Sequence, residues 1–185
     1  MINNRLKNKI IIVTGGNGLL GKAIINRLFE EGATCINFDI NHTTNNDLTN
    51  VKCDITNCKS IDNAVNLVIN KYKKIDGLVN NAYPRTKDWG TKFEDIQYDS
   101  WVKNVDWQLN SSFYLCQKIL GFMINSKNGS IVNMSSIYGV VGADFTIYEG
   151  TTMTLPAAYS AIKGGLINFT RYLASYFGHY NIRIN

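Results

Sequence analysis

Apolar and polar residues alternate in blocks along the chain, and these blocks predict strands and helices in regular succession. Short runs of consecutive β-branched residues, of which residues 10–13 are the clearest, are typical of strands buried in a parallel sheet. Longer segments follow in which apolar residues recur every three or four positions, the spacing of an amphipathic helix. The alternation predicts an α/β fold, an open parallel sheet with helices on both faces.

The same patterns place the individual elements. Strands are predicted at residues 9–14, 34–39, 51–56, 76–82 and 129–136, and a sixth begins at Asn181. Helices are predicted after Gly18 and over residues 60–72, 99–126 (broken near its start) and 157–177. Residues 137–156 form a long loop whose aromatic and apolar content argues against disorder, so we expect it to be functional. No repeat or interdomain linker is visible, which predicts one domain over residues 1–185.

A glycine-rich turn separates the first predicted strand from the first helix. Gly15, Gly16 and Gly18 surround Asn17 there. Glycines let the backbone turn tightly and approach a pyrophosphate, while the helix N-terminus presents free amides and partial positive charge to that anion. A plain tight turn is the alternative. Because the turn lies between a buried strand and an amphipathic helix, we favour a phosphate site in a doubly wound, Rossmann-type sheet.

An acidic residue, Asp39, ends the second predicted strand. It lies 24 residues after Gly15, where a bound dinucleotide would place its adenosine ribose. A carboxylate there accepts hydrogen bonds from both ribose hydroxyls and repels a 2′-phosphate. No Arg or Lys occurs in the glycine turn or just after Asp39, which favours NAD over NADP. The alternative is a loop aspartate without a ligand.

Polar side chains also follow the next strands of the predicted sheet. Asp54 could accept from the adenine amino group or cap the following helix. Asn80 and Asn81 could bond backbone on both sides and tie strands together beneath the cofactor. Ser135 and Ser136 end the fifth strand.

Tyr159 and Lys163 are four residues apart in the last predicted helix, so they lie on one face, one turn apart. An ammonium held close to a phenol favours the phenolate and lowers the phenol pKa from about 10 towards neutrality. Such a group can carry protons at physiological pH. A solvated lysine beside a packed tyrosine has the same spacing, so the chemistry depends on the other motifs.

Composition and charge exclude several classes of function. The 185-residue chain carries a net charge of +5, but its basic residues are dispersed, so we expect no nucleic-acid partner. The four cysteines form no Cys-x-x-Cys pair and the two histidines are isolated, so no metal site is expected. The absence of an apolar signal core or apolar span predicts a cytoplasmic protein without membrane contact.

Taken in order, these motifs resemble those of the short-chain dehydrogenase/reductase family over essentially the whole chain. The resemblance implies that Tyr159 is the acid/base and that Lys163 lowers its pKa and binds the nicotinamide ribose. It also implies that Ser136 holds the substrate oxygen, with Ser135 as the fallback. The NAD-binding set that it implies is Thr14, Gly15, Asn17, Gly18, Leu20, Gly21, Asp39, Asp54, Ile55, Asn81, Ala82, Tyr159 and Lys163.

The sequence departs from the family pattern at several points. Gln108 stands where the family has a catalytic Asn, and Asn110, two residues further, faces elsewhere on the helix. The glycine turn has the Thr-Gly-x-x-Gly-x-x-Gly spacing commoner in the extended, sugar-nucleotide branch. Tyr83 replaces the glycine that usually follows Asn-Asn-Ala. Because the sequence ends before the Pro-Gly turn and lid, we expect a fragment that lacks the last strands and lid.

Residues 136–139, 147–151 and 169–174 resemble a bacterial subgroup associated with flagellin modification and nonulosonic-acid biosynthesis. The expected function is hydride transfer between NAD and a small-molecule alcohol or ketone, such as a sugar. Tyr148, Glu149 and Thr151 could contact this substrate, and packing within the loop is the alternative for Tyr148. The alternatives are an extended-type sugar-nucleotide epimerase or dehydratase, and a catalytically silent NAD-binding subunit. The resemblance of the two long C-terminal helices implies a homodimer or homotetramer.

Overall fold

A six-stranded, fully parallel sheet forms the centre of the computed structural model, which describes residues 4–185. The strands are β1 (Ile10–Thr14), β2 (Thr34–Asp39), β3 (Asn50–Lys52), β4 (Gly77–Asn80), β5 (Gly129–Asn133) and β6 (Ile182–Ile184). The helices are α1 (Leu19–Glu30), α2 (Cys58–Tyr72), α3 (Tyr98–Val105), α4 (Ser111–Ser126) and α5 (Ala157–Phe177). The strand order β3-β2-β1-β4-β5-β6 confirms the predicted doubly wound, Rossmann-type sheet.

Alternate side chains of β1 enter two different apolar layers. Ile10 and Ile12 belong to the larger layer, which includes buried residues of α2, α4 and α5. Ile11 and Val13 belong to the smaller layer, which packs against α1. Helices therefore cover both faces of the sheet, which explains why the strand is apolar at every position.

The chain changes direction across the sheet between β1 and β4. β1 pairs with β2 on one side and with β4 on the other, so the connections leaving these two strands diverge. In open parallel sheets, the crevice outside the carboxyl ends of such strands is the usual ligand site. The glycine turn follows β1, and Asn81 follows β4, at this crevice.

Several predicted elements differ from those observed, and β4 and β5 end at Asn80 and Asn133, earlier than predicted. β3 ends at Lys52 because the Asp54 carboxylate accepts bonds from the Thr56 amide and hydroxyl, which bends the chain. Asn57, rather than Asp54, caps α2 by accepting from the Ser60 amide, so the helix-capping alternative for Asp54 is wrong.

A further difference is in the long helical segment, where a π-helical turn at Asp106–Asn110 joins α3 to α4 without a break. The long loop contains two 3-10 turns, Ile137–Gly139 and Phe145–Tyr148. Within the described residues, none of the helices has the length and apolarity needed to cross a bilayer.

Candidate active site

The glycine turn fits closely against the end of β4. Gly15 has a φ of +66°, and a Cβ added to it would lie 2.9 Å from the Ala82 Cα, so a side chain is excluded there. α1 then begins at Leu19 with Gly18 as its N-cap, which provides no side-chain hydrogen bond to the first turn. The free amides of the first turn of α1 are therefore available to an anion.

Gly21 lies directly behind the turn, on the first turn of α1. A Cβ added to Gly21 would lie 2.2 Å from the Gly15 carbonyl oxygen and 2.7 Å from the Gly16 Cα. The helix can therefore approach the turn this closely only with glycine at position 21. The glycine turn and the first turn of α1 together form what we call the phosphate cradle. Gly21 supports this cradle by close packing and does not line the cleft itself.

The Asp39 carboxylate lies at the far end of the crevice and is only 6% exposed. It accepts hydrogen bonds from the Asn17 amide at 3.1 Å and the Asn41 amide at 3.0 Å. Asn17 Oδ1 in turn accepts from Asn37 Nδ2 at 3.2 Å and lies 2.8 Å from His42 Nε2. The glycine turn and the acidic strand end are thus joined by side chains.

Asn37 and His42 hold residues of the glycine turn in place, and the sequence interpretation missed both. Asn37 also accepts from the Gly16 amide at 2.9 Å, so it fixes the turn from β2. The available signal was its position two residues before Asp39, which places both side chains on one face of the strand. His42 lies within hydrogen-bond distance of Asn17 because the loop after β2 folds back over it.

Thr14 and Asn81 connect β1 to β4 at the base of the crevice. Thr14 Oγ1 accepts from the amides of Asn81 and Ala82, each at 3.0 Å. Asn81 Nδ2 donates to the carbonyl oxygens of Thr14 and Gly15. Asn80 Nδ2 donates to Asn133 Oδ1 at 2.8 Å, which joins β4 to β5. The prediction that Asn80 and Asn81 tie strands together is confirmed.

Two cavities open on the carboxyl edge of the sheet. The larger, of about 820 Å³, is lined by these predicted cofactor residues: Gly15, Asn17, Gly18, Leu20, Asp39, Asp54, Ile55, Asn81 and Ala82. The smaller, of about 410 Å³, contains Tyr159, Lys163, Ser135 and Ser136. Leu20, Asn81 and Tyr83 line both, so the cavities adjoin. An extended dinucleotide would fit this crevice. It would meet the Asp39 carboxylate first, then the uncapped N-terminus of α1, and then the smaller cavity.

Tyr159 and Lys163 share one face of α5, as the spacing predicts. Lys163 Nζ donates to the Met134 carbonyl oxygen at 2.6 Å and lies 5.7 Å from the centre of the Tyr159 ring. Burial lowers the pKa of Lys163 from its usual 10.5. The Lys163 ammonium is thus fixed by Met134, directly after β5, and lies near the Tyr159 ring.

The two serines differ in what they contact. Ser135 Oγ donates to the Lys163 carbonyl oxygen at 3.0 Å and so anchors α5. Ser136 Oγ accepts from the Tyr138 amide at 3.3 Å, which leaves its hydroxyl proton to be donated. This difference makes Ser136 the better placed of the two to hold a substrate oxygen.

Gln108 lies on the π-helical turn and is 6% exposed. Its Nε2 donates to the Pro84 carbonyl oxygen at 2.8 Å. Its Oε1 is buried, and among residues 4–185 it has no hydrogen-bond partner. A buried carbonyl of this kind normally accepts from a water molecule. Asn110 instead donates to Asp106 on the exposed side, as its helical position predicts.

The long loop contributes Tyr138, Leu155 and Pro156 to the smaller cavity. Glu149 and Thr151 are exposed and do not line it, and neither does Tyr148. Thr151 Oγ1 instead closes a local turn by donating to the Tyr148 carbonyl oxygen. The structure therefore does not place these three residues where they could contact a substrate in this cavity.

These features are those of a nicotinamide-dependent oxidoreductase built on a Rossmann-type sheet. The model of the short chain dehydrogenase family matches residues 9–185, and the chain belongs to that family. It is an NAD-dependent oxidoreductase that acts on alcohols or ketones. Among the described residues, no group of three or more His, Cys, Asp or Glu could hold a metal ion.

The relatives found by comparison align with nearly the whole length of this chain. Post-translational flagellin modification protein A of Campylobacter coli is 33% identical over 193 residues, covering 97% of this chain and 75% of the relative. The 7alpha-hydroxysteroid dehydrogenase of Bacteroides fragilis is 31% identical, covering 98% and 71%. A short chain dehydrogenase from Leptospira borgpetersenii with bound NAD+ superposes with a TM-score of 0.87 at 31% identity, covering 100% and 72%.

Proposed function

We propose that this protein interconverts a secondary alcohol and a ketone on a sugar-like small molecule used in flagellin or surface-glycan modification. The observation that carries this proposal is the meeting of Ser136, Tyr159 and Lys163 in one cavity that adjoins the dinucleotide cleft. The relationship to a flagellin modification protein supports the biological setting. The hydroxyl groups of Ser136 and Tyr138 in the cavity suit a polyhydroxylated substrate.

Bound NAD would accept or supply the hydride, and the residues of the chain would manage the proton and the substrate oxygen. Asp39 would hold the adenosine ribose, and the first turn of α1 would hold the pyrophosphate. In alcohol oxidation, Ser136 would donate to the substrate oxygen while Tyr159 Oη removes its proton. The Lys163 ammonium, fixed by Met134, would stabilise the negative charge on the phenolate.

Gln108 would complete the proton path. Its unpartnered Oε1 would bind a water molecule below Pro84, and that water would exchange protons with the buried end of the site. The side chain is one methylene longer than the usual Asn, and it lies on a π-helical turn, a feature that is frequent at functional sites. These two features together support a role for Gln108 as the water-holding residue.

Tyr159→Phe tests this mechanism. We expect turnover to fall at least about 100-fold, because proton transfer of this kind contributes that much to the rate. NADH formation at 340 nm is measured with NAD and a panel of sugar alcohols and amino or deoxy sugars. NADH titration by fluorescence should show unchanged cofactor binding, since Tyr159 has no part in the adenosine end. Tyr98→Phe, a surface tyrosine that is 78% exposed, is the control.

Undiminished turnover in Tyr159→Phe would contradict the mechanism. Product analysis distinguishes the dehydrogenase from a sugar-nucleotide epimerase or dehydratase, which would form NADH only transiently and give no net redox change.

We further propose that the protein acts in the cytoplasm as a homodimer or homotetramer. Cys35, Cys53 and Cys116 support the reducing compartment, because they are free, buried thiols.

A further inference from the structure

Tyr83 lies at the junction of the two cavities. It follows Asn81 and Ala82, whose amides are fixed by Thr14, so its backbone is held at the end of β4. Its side chain lines both the dinucleotide cleft and the smaller cavity, and it is 37% exposed. A ring at this point is in a position to influence both the cofactor and the acid/base residues.

The Tyr83 ring packs on the edge of the Tyr159 ring. The two centroids are 5.8 Å apart and the ring planes are at 86°, the edge-to-face arrangement that aromatic pairs prefer. Trp89 completes the group, with its ring 5.6 Å from Tyr83 and 6.4 Å from Tyr159. Tyr159 is therefore braced by two aromatic rings contributed by the loop after β4.

The Lys163 ammonium lies within cation–π distance of both tyrosines. Its Nζ is 5.6 Å from the Tyr83 centroid and 5.7 Å from the Tyr159 centroid. Burial, with a smaller contribution from the nearby Tyr159, raises the pKa of Tyr83 to about 12. Tyr83 therefore remains a neutral phenol at physiological pH, and its ring can face the ammonium without forming an ion pair with it.

We infer that Tyr83 is a positioning residue, whose ring holds the Tyr159 ring and the Lys163 ammonium in reacting geometry where the cofactor cleft meets the substrate cavity. The ring does this, not the hydroxyl. The inference rests on the proposed roles of Tyr159 and Lys163. A displacement of about 1 Å at a reacting group can cost on the order of 100-fold in rate, so loss of the brace should affect turnover.

Tyr83→Leu and Tyr83→Phe separate the ring from the hydroxyl. With NAD at saturation and the most active sugar alcohol of the panel, we expect kcat of Tyr83→Leu to fall at least about 10-fold with little change in KM. Tyr83→Phe should keep kcat within about threefold, because it preserves the edge-to-face and cation–π contacts. Tyr98→Leu, the same change at an exposed position, should match the unsubstituted enzyme.

Three outcomes would overturn the inference: unchanged kcat in Tyr83→Leu, equal loss in Tyr83→Phe, or a loss confined to KM. Trp89→Leu serves if Tyr83→Leu does not fold, and it should lower kcat less, because Trp89 lies further from Tyr159. Tyr159→Phe is measured in parallel. Activity in Tyr159→Phe would refute the proposed function itself, whereas an inactive Tyr159→Phe with a fully active Tyr83→Leu would refute only the role of Tyr83.

Discussion

The Asp39 carboxylate is held in place by two backbone amides before any ribose is bound. Because this carboxylate is already ordered, it can accept hydrogen bonds from the ribose hydroxyls without a further loss of conformational entropy. Its negative charge opposes a 2′-phosphate. The neighbouring Asn17 and Asn37 are neutral amides, so they supply no positive charge that would offset this repulsion. We therefore expect Asp39 to favour NAD over NADP.

Replacement of Asp39 by Ser should reverse part of this preference. We expect NADH affinity to fall about 10-fold and NADPH affinity to rise by a similar factor, about 1.4 kcal/mol in each case. Fluorescence titration with the two reduced cofactors measures both constants. Asp47→Ser, an exposed aspartate of the following loop, is the matched control and should change neither. An unchanged ratio of the two constants in Asp39→Ser would show that selectivity lies elsewhere.

At the scale of residues, the sequence predicts the positions whose chemistry is tied to an element end. Asp39, Asn81 and Tyr159 could be identified because a turn, a strand end or a helical spacing places them. Trp89 and Tyr83 could not be assigned a role, since their partner Tyr159 lies about 70 residues away in sequence. Such contacts arise from tertiary folding and leave no local pattern.

Helix α1 is the element whose packing sets the phosphate cradle. Gly21→Ala would place a Cβ 2.2 Å from the Gly15 carbonyl oxygen, so the helix or the turn must shift. We expect a loss of about 1–3 kcal/mol in the free energy of unfolding, as for other overpacked sites. NADH affinity should fall at least about 10-fold, because the amides of the first turn move with the helix.

Gly178→Ala provides the control for this substitution. Gly178 has helical dihedral angles, φ −56° and ψ −36°, and a Cβ there would meet nothing within 4 Å. Alanine should stabilise the protein by up to about 1 kcal/mol and leave NADH binding unchanged. Urea denaturation and NADH titration measure both effects. Wild-type affinity in Gly21→Ala would mean that the cradle tolerates the shift and would contradict the packing argument.

Periodicity predicts the elements best where one face of a helix is continuously apolar. The predicted bounds of α5, residues 157–177, agree with those observed, because its apolar stripe extends over the full length. The π-helical turn at Asp106–Asn110 was predicted only as a break, since one extra residue in a turn hardly alters an apolar pattern. β3 was predicted too long because Asp54 and Thr56 form side-chain bonds that end it.

At the scale of the whole molecule, the strand–helix alternation predicts an open parallel sheet, which the structure has. It predicts nothing about surfaces between copies of the chain. Helices α4 and α5 leave an apolar groove of about 260 Å³ between them. Its edges carry Phe113, Tyr172 and Tyr176, which are 48%, 60% and 56% exposed. Phe113 packs on Phe169 across the groove, with ring centroids 6.0 Å apart. Exposed apolar patches of this kind mark association surfaces.

We predict that this groove forms the interface of the proposed homodimer. Tyr176→Glu would place a charge in this apolar face, and burying it without a partner costs several kcal/mol. We expect the dimer dissociation constant to rise at least about 100-fold, measured by light scattering after size exclusion. Tyr98→Glu should leave the dimer intact. A protein that is monomeric without substitution, or a Tyr176→Glu variant that stays dimeric, would contradict the assignment of this face. Because α5 carries Tyr172 and Tyr176 near one end and Tyr159 and Lys163 near the other, the monomeric variant should also lose part of its turnover.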